Sequence, residues 1–324
     1  MDVIRTAPSR PAPADPAPAG PVQRILAQAD GALRDAAPRH GYQRVVYLAG
    51  VLLVVSGLVH VVVLAVDGGG WDGPLSWRKA ILFGVSFGMS TVAAGWVLGT
   101  LPHSRLWGRT AAGMLVGGGV AEVALITAQT WRGTESHFNV LGDPVDALVF
   151  TLMAVAVGVY TLGLVVLTVW AAARLRRPAP TVVAVLVGLA LTLVGSALGG
   201  DLIGRGLAHV DEYETIPATV VIGAAGSGRL AHAVALHGLQ VLGVLALLLG
   251  RSALPAAGRT RTMAVAAGAY VALTAGVAAQ AYAGRSMLEL SWPAAAGIGL
   301  AALTVVAALG WSVKDAVLGA RRAA

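Results

Sequence analysis

Cysteine is absent from this sequence of 324 residues, which excludes disulfide bonds, thiolate metal sites and a cysteine nucleophile. Charged residues are also scarce: they make up 12% of the chain, where an ordinary soluble domain has about 25%. Lysine is nearly missing, because only Lys79 and Lys314 of the 23 basic residues are lysines. The HExxH and Walker A motifs do not occur, so the sequence lacks the usual signatures of zinc proteases and P-loop nucleotidases. The pattern GxSxG occurs at residues 84–88, but it lies inside an apolar run and not at the strand-to-helix elbow that serine hydrolases require.

Apolar residues, in contrast, make up 56% of the chain, and its mean hydropathy is +0.75. Several apolar runs reach the roughly 20 residues needed to cross a bilayer. The sequence therefore predicts an all-α polytopic membrane bundle whose main partner is the lipid bilayer. We place eight spans near residues 43–66, 78–101, 109–131, 145–173, 181–203, 228–250, 262–283 and 293–313. The isoelectric point of about 10.4 reflects basic loops between spans and does not indicate binding of nucleic acid.

The predicted spans divide the chain into three regions. Residues 1–40 form a Pro- and Ala-rich tail that we expect to be disordered, ending in a short amphipathic helix or a plain linker. Residues 41–314 form the membrane domain, and residues 315–324 a short basic tail. With the N-terminus in the cytoplasm, 17 of the 23 Lys and Arg residues fall inside and six outside. The positive-inside rule thus predicts a multi-pass protein of the inner (plasma) membrane with both termini cytoplasmic.

Two short segments indicate an internal repeat. Residues 128–133 read AQTWRG at the end of the third span, and residues 279–284 read AQAYAG at the end of the seventh, 151 residues later. The same offset aligns the second span with the sixth. We therefore expect two four-helix halves of the same orientation, as in a parallel repeat.

The acidic residues and the histidines are concentrated towards the outer side. Eleven of the 16 carboxylates and five of the seven histidines lie in outer loops or in spans close to them. The long outer segment 204–227 predicts a lid or a re-entrant segment over the outer mouth. Any chemistry is therefore expected on the extracytoplasmic half of the protein.

Glu122 is the most costly residue of the predicted spans. It lies about ten residues inside the outer end of its helix, or roughly 15 Å deep. An ionised carboxylate at that depth costs at least a few kcal/mol unless it is paired, hydrated or protonated. Gln129 and Arg132 follow at spacings that continue a polar stripe to the outer surface. The alternative is a neutral Glu122 that bonds to a neighbouring helix purely for packing.

The sixth span carries a second polar group. His237 and Gln240 are three residues apart and share a face, whereas His232 and His237 lie about 140° apart around the helix and cannot act as an i,i+4 metal pair. A buried histidine bonded across helices is the alternative. We take Glu122, His137 and His237 as candidate catalytic residues. Candidate ligand-binding residues are Lys79, Gln129, Arg132, Ser136, Asn139, Arg229 and Gln240, and candidate metal ligands are His60, His137, His232 and His237.

Two segments, Q-x-x-R-G-x-x-S-H-F-N from residue 129 and H-x-x-x-x-H-G-L-Q from residue 232, resemble an uncharacterised family of bacterial multi-pass membrane proteins. The resemblance runs from about the second span to the sixth. It implies that the polar residues of both segments belong to one shared pattern, and it implies no particular activity. Ser227 and Gly228 stand where that pattern has an acidic residue before the arginine, which leaves Arg229 without its expected charge partner.

Three functions fit these residues. The first is an extracytoplasmic pocket that binds a transition metal, a haem or a small ligand, with redox or hydrolytic chemistry carried by Glu122 and the histidines. The second is a proton-coupled transporter in which Glu122 and His237 alternate in protonation. The third is a sensor or assembly partner whose polar core is only structural.

Overall fold

The computed structural model describes residues 37–318 except 69 and 74, together with residues 23, 30, 31 and 34. This part of the chain folds into helices α1 Gly41–Asp67, α2 Arg78–Thr100, α3 Arg105–Trp131, α4 Pro144–Arg174, α5 Ala179–Tyr213, α6 Gly228–Leu236, α7 Gly238–Gly250, α8 Ala256–Tyr282 and α9 Trp292–Leu318. Helices α6 and α7 together make one span, so the predicted all-α bundle of eight spans is confirmed. The predicted tail before residue 37 lies almost entirely outside the described residues, as do residues 319–324 of the C-terminal tail.

The helix ends follow local sequence rules, with one exception. Asp143 caps α4 by accepting a hydrogen bond from Val145 N at 2.7 Å, and Pro144 occupies the first turn. The expectation that residues 204–227 form a lid or a re-entrant segment is wrong for residues 204–213, because α5 continues to Tyr213. An ion pair of 2.8 Å between Asp201 and Arg205, one turn apart, supports this extension. The remaining connector comprises residues 214–227.

The helices pack as two groups. In the first group, α1 to α4, Gly50 and Gly57 of α1 lie against the backbone of α2, and Gly118 of α3 lies against the backbone of α4 at Ala156. The second group contains α5 to α9. The main contacts between the groups are those of α4 with α5 and of α2 with α7, where Trp96 faces Gly243. This arrangement agrees with the expected four-span halves.

The internal repeat extends to the backbone. Helix α8 begins and ends 151 residues after α3, and both helices contain 27 residues. Each is followed by a glycine in the left-handed region, Gly133 at φ 67° and Gly284 at φ 72°. In both, the carbonyl of the glutamine accepts the N–H five residues later, at 3.1 Å for Gln129 and 3.3 Å for Gln280. The same termination therefore ends the third span of each half.

We define the terminal face as the side on which α1 begins and α9 ends, and the opposite face as the side on which α3 ends and α4 begins. An even number of spans places both ends of the bundle on the terminal face.

Candidate functional site

Asp146, in the first turn of α4, is the centre of a hydrogen-bond network on the opposite face. It is buried, and its Oδ1 accepts from Gln129 Nε2 at 3.0 Å and Arg132 Nη1 at 2.8 Å. Its Oδ2 accepts from Thr134 Oγ1 and Asn139 Nδ2, both at 3.1 Å. Four donors therefore converge on one carboxylate, and the network joins the end of α3 to the start of α4.

This network changes the roles of three predicted ligand-binding residues. Gln129, Arg132 and Asn139 direct their donors at Asp146, so in this structure they hold the α3–α4 loop in place. The polar stripe expected from Glu122 to Arg132 ends at Asp146 instead of at a ligand. Asp146 was not among the candidate residues predicted from the sequence, where DPVD at residues 143–146 reads only as the start of a helix. The signal that could have identified it is this acidic helix start following a helix that ends in Gln-x-x-Arg.

His137 lies in an aromatic pocket beneath the same loop. Its ring contacts those of Phe83 and Phe150, and its Nδ1 bonds to Ser136 Oγ at 2.9 Å. Burial, with the nearby positive charge of Lys79, lowers the pKa of His137 to about 3. The imidazole is therefore neutral at physiological pH. The candidate residues Ser136 and Lys79 are thus both neighbours of His137.

Phe138, which the sequence did not single out, connects this loop to the second half. It is one of two non-glycine residues with positive φ in the described chain, at 64°. Its ring lies so close to Gly206 of α5 that a Cβ there would come within 2.3 Å of it. The loop thus carries backbone strain in order to place an aromatic ring on α5.

His60 forms a separate cluster with two tryptophans. Its Nε2 accepts a hydrogen bond from Trp131 Nε1 at 3.0 Å, and its Nδ1 lies 2.7 Å from the carbonyl of Ser56. Because an indole can only donate and a carbonyl can only accept, His60 carries its proton on Nδ1. The ring of Trp77 lies beside both, tilted by 32° relative to His60 and edge-on to Trp131. Both nitrogens of His60 are engaged, so it does not offer a free lone pair to a metal.

The sixth span is interrupted at His237, between α6 and α7. Gln240 bridges the interruption: in the amide orientation that satisfies both ends, its nitrogen donates to the carbonyls of Leu236 and His237 at 2.9 and 3.2 Å. Its oxygen then accepts from Ser90 Oγ of α2 at 3.0 Å. His237 is half-buried and lies nine residues inside the span, or about 13 Å deep. The break therefore lies near mid-membrane, against α2.

His232 faces a different helix. Its Nδ1 lies 2.7 Å from the carbonyl of Gly195, and its ring packs on Gly199 of α5. Among the described residues, no three His, Asp or Glu side chains are grouped so that they could hold a metal ion. The described residues therefore do not show the expected metal site of His60, His137, His232 and His237, because His60, His137 and His232 are each directed at different partners.

Glu122 is 3% exposed and lies on the buried face of α3, one turn beyond Gly118 and Gly119. Those glycines pack on Tyr160 of α4. Within the described chain, Glu122 is the one carboxylate among the buried side-chain atoms that have no hydrogen-bond partner, through its Oε2. It lies nine residues before the end of α3, or about 13 Å deep. Its depth thus matches that of the break at His237.

Glu122 and His237 are not direct neighbours, because α2 lies between α3 and α7. Polar side chains flank α2 on both sides: Thr91 Oγ1 lies 3.3 Å from Tyr160 of α4, and Ser90 bonds to Gln240 of α7. The expected single pocket containing both Glu122 and His237 is thus replaced by two polar sites on either side of α2.

Arg229, at the start of α6, lies within electrostatic reach of Arg78 and Asp72. Arg78 and Arg229 are themselves 151 residues apart and begin equivalent spans. Asp72 pairs directly with Arg78 at 2.8 Å. An acidic neighbour for Arg229 therefore comes from the first half of the chain, and not from the residues that precede it.

No family model, curated protein sequence or solved structure matches this chain. The geometry of its own residues therefore carries the functional argument. That geometry describes an integral membrane protein of eight apolar spans with a buried, unpartnered carboxylate in one half and an interrupted helix in the other.

Proposed function

We propose that this protein is a proton-linked membrane carrier in which Glu122 binds and releases a proton. The observation that carries the proposal is the burial of Glu122 without a hydrogen-bond partner for Oε2 in the described part of the chain. An ionised carboxylate in this position would cost at least a few kcal/mol. The resting state therefore holds the proton on Glu122, and a rearrangement that hydrates Glu122 releases it.

The architecture favours a carrier over a purely structural protein. Parallel repeats and discontinuous spans near the bilayer midplane are recurring features of secondary transporters. Here the break at His237 belongs to the sixth span, and the helix between it and Glu122 is α2. Sliding or tilting of α2 would alter both polar sites together. His237 is accordingly the second protonatable group of the proposed cycle, and the small-molecule ligand expected on the extracytoplasmic side is its cargo.

Binding of a metal or haem receives less support from these residues. His60, His137 and His232 are directed at tryptophan, serine and backbone partners respectively, and the described residues form no cluster of three metal-ligating side chains. Burial of the Glu122 carboxyl group without a partner for Oε2 costs free energy. A role in proton transfer explains why the protein bears that cost, whereas a purely structural core does not.

Proton uptake by Glu122 can be tested directly. In purified protein, the infrared band of a protonated, buried carboxyl group is expected in the wild type and absent in Glu122→Gln. In liposomes containing a trapped pH dye, Glu122→Gln should lower proton flux driven by a membrane potential at least about tenfold. Glu212→Gln, at an exposed carboxylate near the end of α5, is the matched control and should keep the wild-type rate. Equal flux in the wild type and Glu122→Gln, or an unchanged infrared band, would refute the proposal.

A further inference from the structure

A cleft of about 260 Å³ opens on the terminal face, far from the polar residues described above. Its walls are the start of α1, the end of α2, the α4–α5 connector with the start of α5, and the end of α7. The first two belong to one half of the protein, and α5 and α7 to the other. The cleft therefore lies where the two four-span halves meet.

Three arginines converge on this cleft, namely Arg39, Arg177 and Arg251. The guanidinium of Arg177 is held at the end of α2, where its Nε donates to the carbonyl of Thr100 at 2.9 Å and its Nη2 to that of Gly99 at 3.3 Å. Arg251 Nη1 donates to the carbonyl of Leu247 in the last turn of α7 at 3.0 Å. Two of the three cations are therefore fixed by helix C-termini before any ligand arrives.

The described residues that line the cleft include no Asp or Glu. Asp30, in the segment whose Gly31 lies beside Arg251, is paired with Arg34 at 2.7 Å. The polar side chain at the cleft floor, Gln43, is already satisfied: it accepts from Arg39 N at 2.7 Å and donates to the carbonyl of Gly95 at 3.0 Å. The site thus presents donors and positive charge, the complement of an oxyanion.

The apolar lining of the cleft further restricts the kind of ligand that would fit. Trp96, Ala246 and Leu247 form its wall on the α2 and α7 sides. Guanidinium groups bind phosphate oxygens through paired N–H donors, and an apolar wall beside them suits an acyl chain. Basic pockets between membrane helices recognise lipid headgroups in this way. A soluble phosphate ester would use the arginines but not the apolar wall.

We propose that this cleft binds the phosphate of an anionic phospholipid, with its headgroup between Arg39 and Arg177. The bound phosphate bridges the residues that precede α1 to the α4–α5 connector, whose Arg177 caps the end of α2. The lipid therefore stabilises one arrangement of the two halves.

The test measures binding to the full-length protein in detergent micelles. Short-chain phosphatidylglycerol, short-chain phosphatidylcholine and inorganic phosphate are titrated separately, and native mass spectrometry counts the bound molecules. We expect phosphatidylglycerol to bind more tightly than phosphatidylcholine. Each arginine removed should weaken binding by about fivefold, so Arg39→Gln with Arg177→Gln should weaken it by about 25-fold.

Matched variants separate charge from folding. Arg109→Gln removes an exposed arginine of the same face outside the cleft and should leave phosphatidylglycerol affinity unchanged. Arg39→Gln alone leaves the Arg177 cap of α2 intact. It also keeps the hydrogen bond to Gln43, because that bond uses only the backbone N–H of residue 39. If only inorganic phosphate binds, and it binds more weakly to Arg39→Gln, the cleft is an anion site whose ligand is a soluble phosphate and not a lipid. Equal affinity for the two lipids with no phosphate binding, or equal losses in Arg39→Gln and Arg109→Gln, would overturn the proposal.

Discussion

Gln129 and Gln280 occupy equivalent positions, two residues before the last residue of α3 and of α8, yet their side chains bind different partners. Gln129 donates to the carboxylate of Asp146 on the next span. Gln280 donates to the backbone carbonyls of Ser286 and Glu289 in the loop that follows α8, at 2.8 and 3.3 Å. Gln129 therefore ties the third and fourth spans of the first half together through a charge, whereas Gln280 makes no such bond to a described residue of α9. Consistent with this difference, α9 buries less of its surface than α4.

Removal of the charge of Asp146 should loosen the junction of α3 and α4. In Asp146→Asn, an amide group replaces one acceptor oxygen and faces donors, so at least one of the four converging hydrogen bonds is lost. We expect the thermal midpoint in detergent to fall by roughly 5 °C or more. Asp143→Asn is the control, because asparagine caps a helix as well as aspartate does and should leave the midpoint unchanged. Equal midpoints for both variants would contradict the central role of Asp146.

The hydrogen bond between Trp131 and His60 can be removed without loss of the aromatic ring. Trp131→Phe leaves the buried Nε2 of His60 without its donor, which should cost about 1 kcal/mol of unfolding free energy. Nitrogen NMR of labelled wild-type protein should show His60 protonated on Nδ1. Trp71→Phe, at an exposed tryptophan, should be neutral. Detection of the Nε2-protonated tautomer would refute the assigned direction of the bond.

His137 should make the stability of the protein depend on acid. Its pKa is about 3 in the folded state, against 6.5 for a free histidine, so only the unfolded chain takes up this proton between those values. The contribution is therefore fully present above pH 6.5 and is lost as the pH falls towards 3. His137→Asn should flatten the pH dependence of unfolding by up to about one proton over this range.

A second variant tests the cause of that shift. Lys79→Met removes the nearby charge that lowers the pKa of His137, so the acid-induced loss of stability should begin at the same pH but become smaller. Denaturant midpoints measured at several pH values check both variants. Identical slopes in the wild type and in His137→Asn would show that His137 does not stay neutral in the folded protein.

The contact between Phe138 and Gly206 should tolerate no added methyl group. Gly206→Ala places a Cβ against the ring and should destabilise the protein by about 1–3 kcal/mol. Gly200→Ala, at a position of the same helix with open space, should be neutral or stabilising by up to about 1 kcal/mol. In a Phe138→Ala background the cost of Gly206→Ala should disappear. A cost that persists there would place its origin elsewhere.

The sequence by itself determined the membrane helices of this protein. A long apolar segment in lipid must satisfy its backbone internally, so hydropathy alone located the eight spans. Local rules then set the start of α4 at Asp143 and the ends of α3 and α8 at Gly133 and Gly284. The internal repeat with its offset of 151 residues was also visible in the sequence, because six consecutive residues encode the end of α3 and the corresponding six encode the end of α8.

Only the tertiary structure decided which side chains meet. His60 and Trp131 are 71 residues apart, and Ser90 and Gln240 are 150 apart, so their bonds depend on how each helix is rotated and packed. The same packing assigned Gln129 and Arg132 to Asp146 and left Glu122 without a partner for Oε2 in the described chain. Sequence spacing identifies the face of a helix on which a polar group lies. Which neighbour covers that face follows from close packing between segments distant in the chain, and the spacing does not encode it.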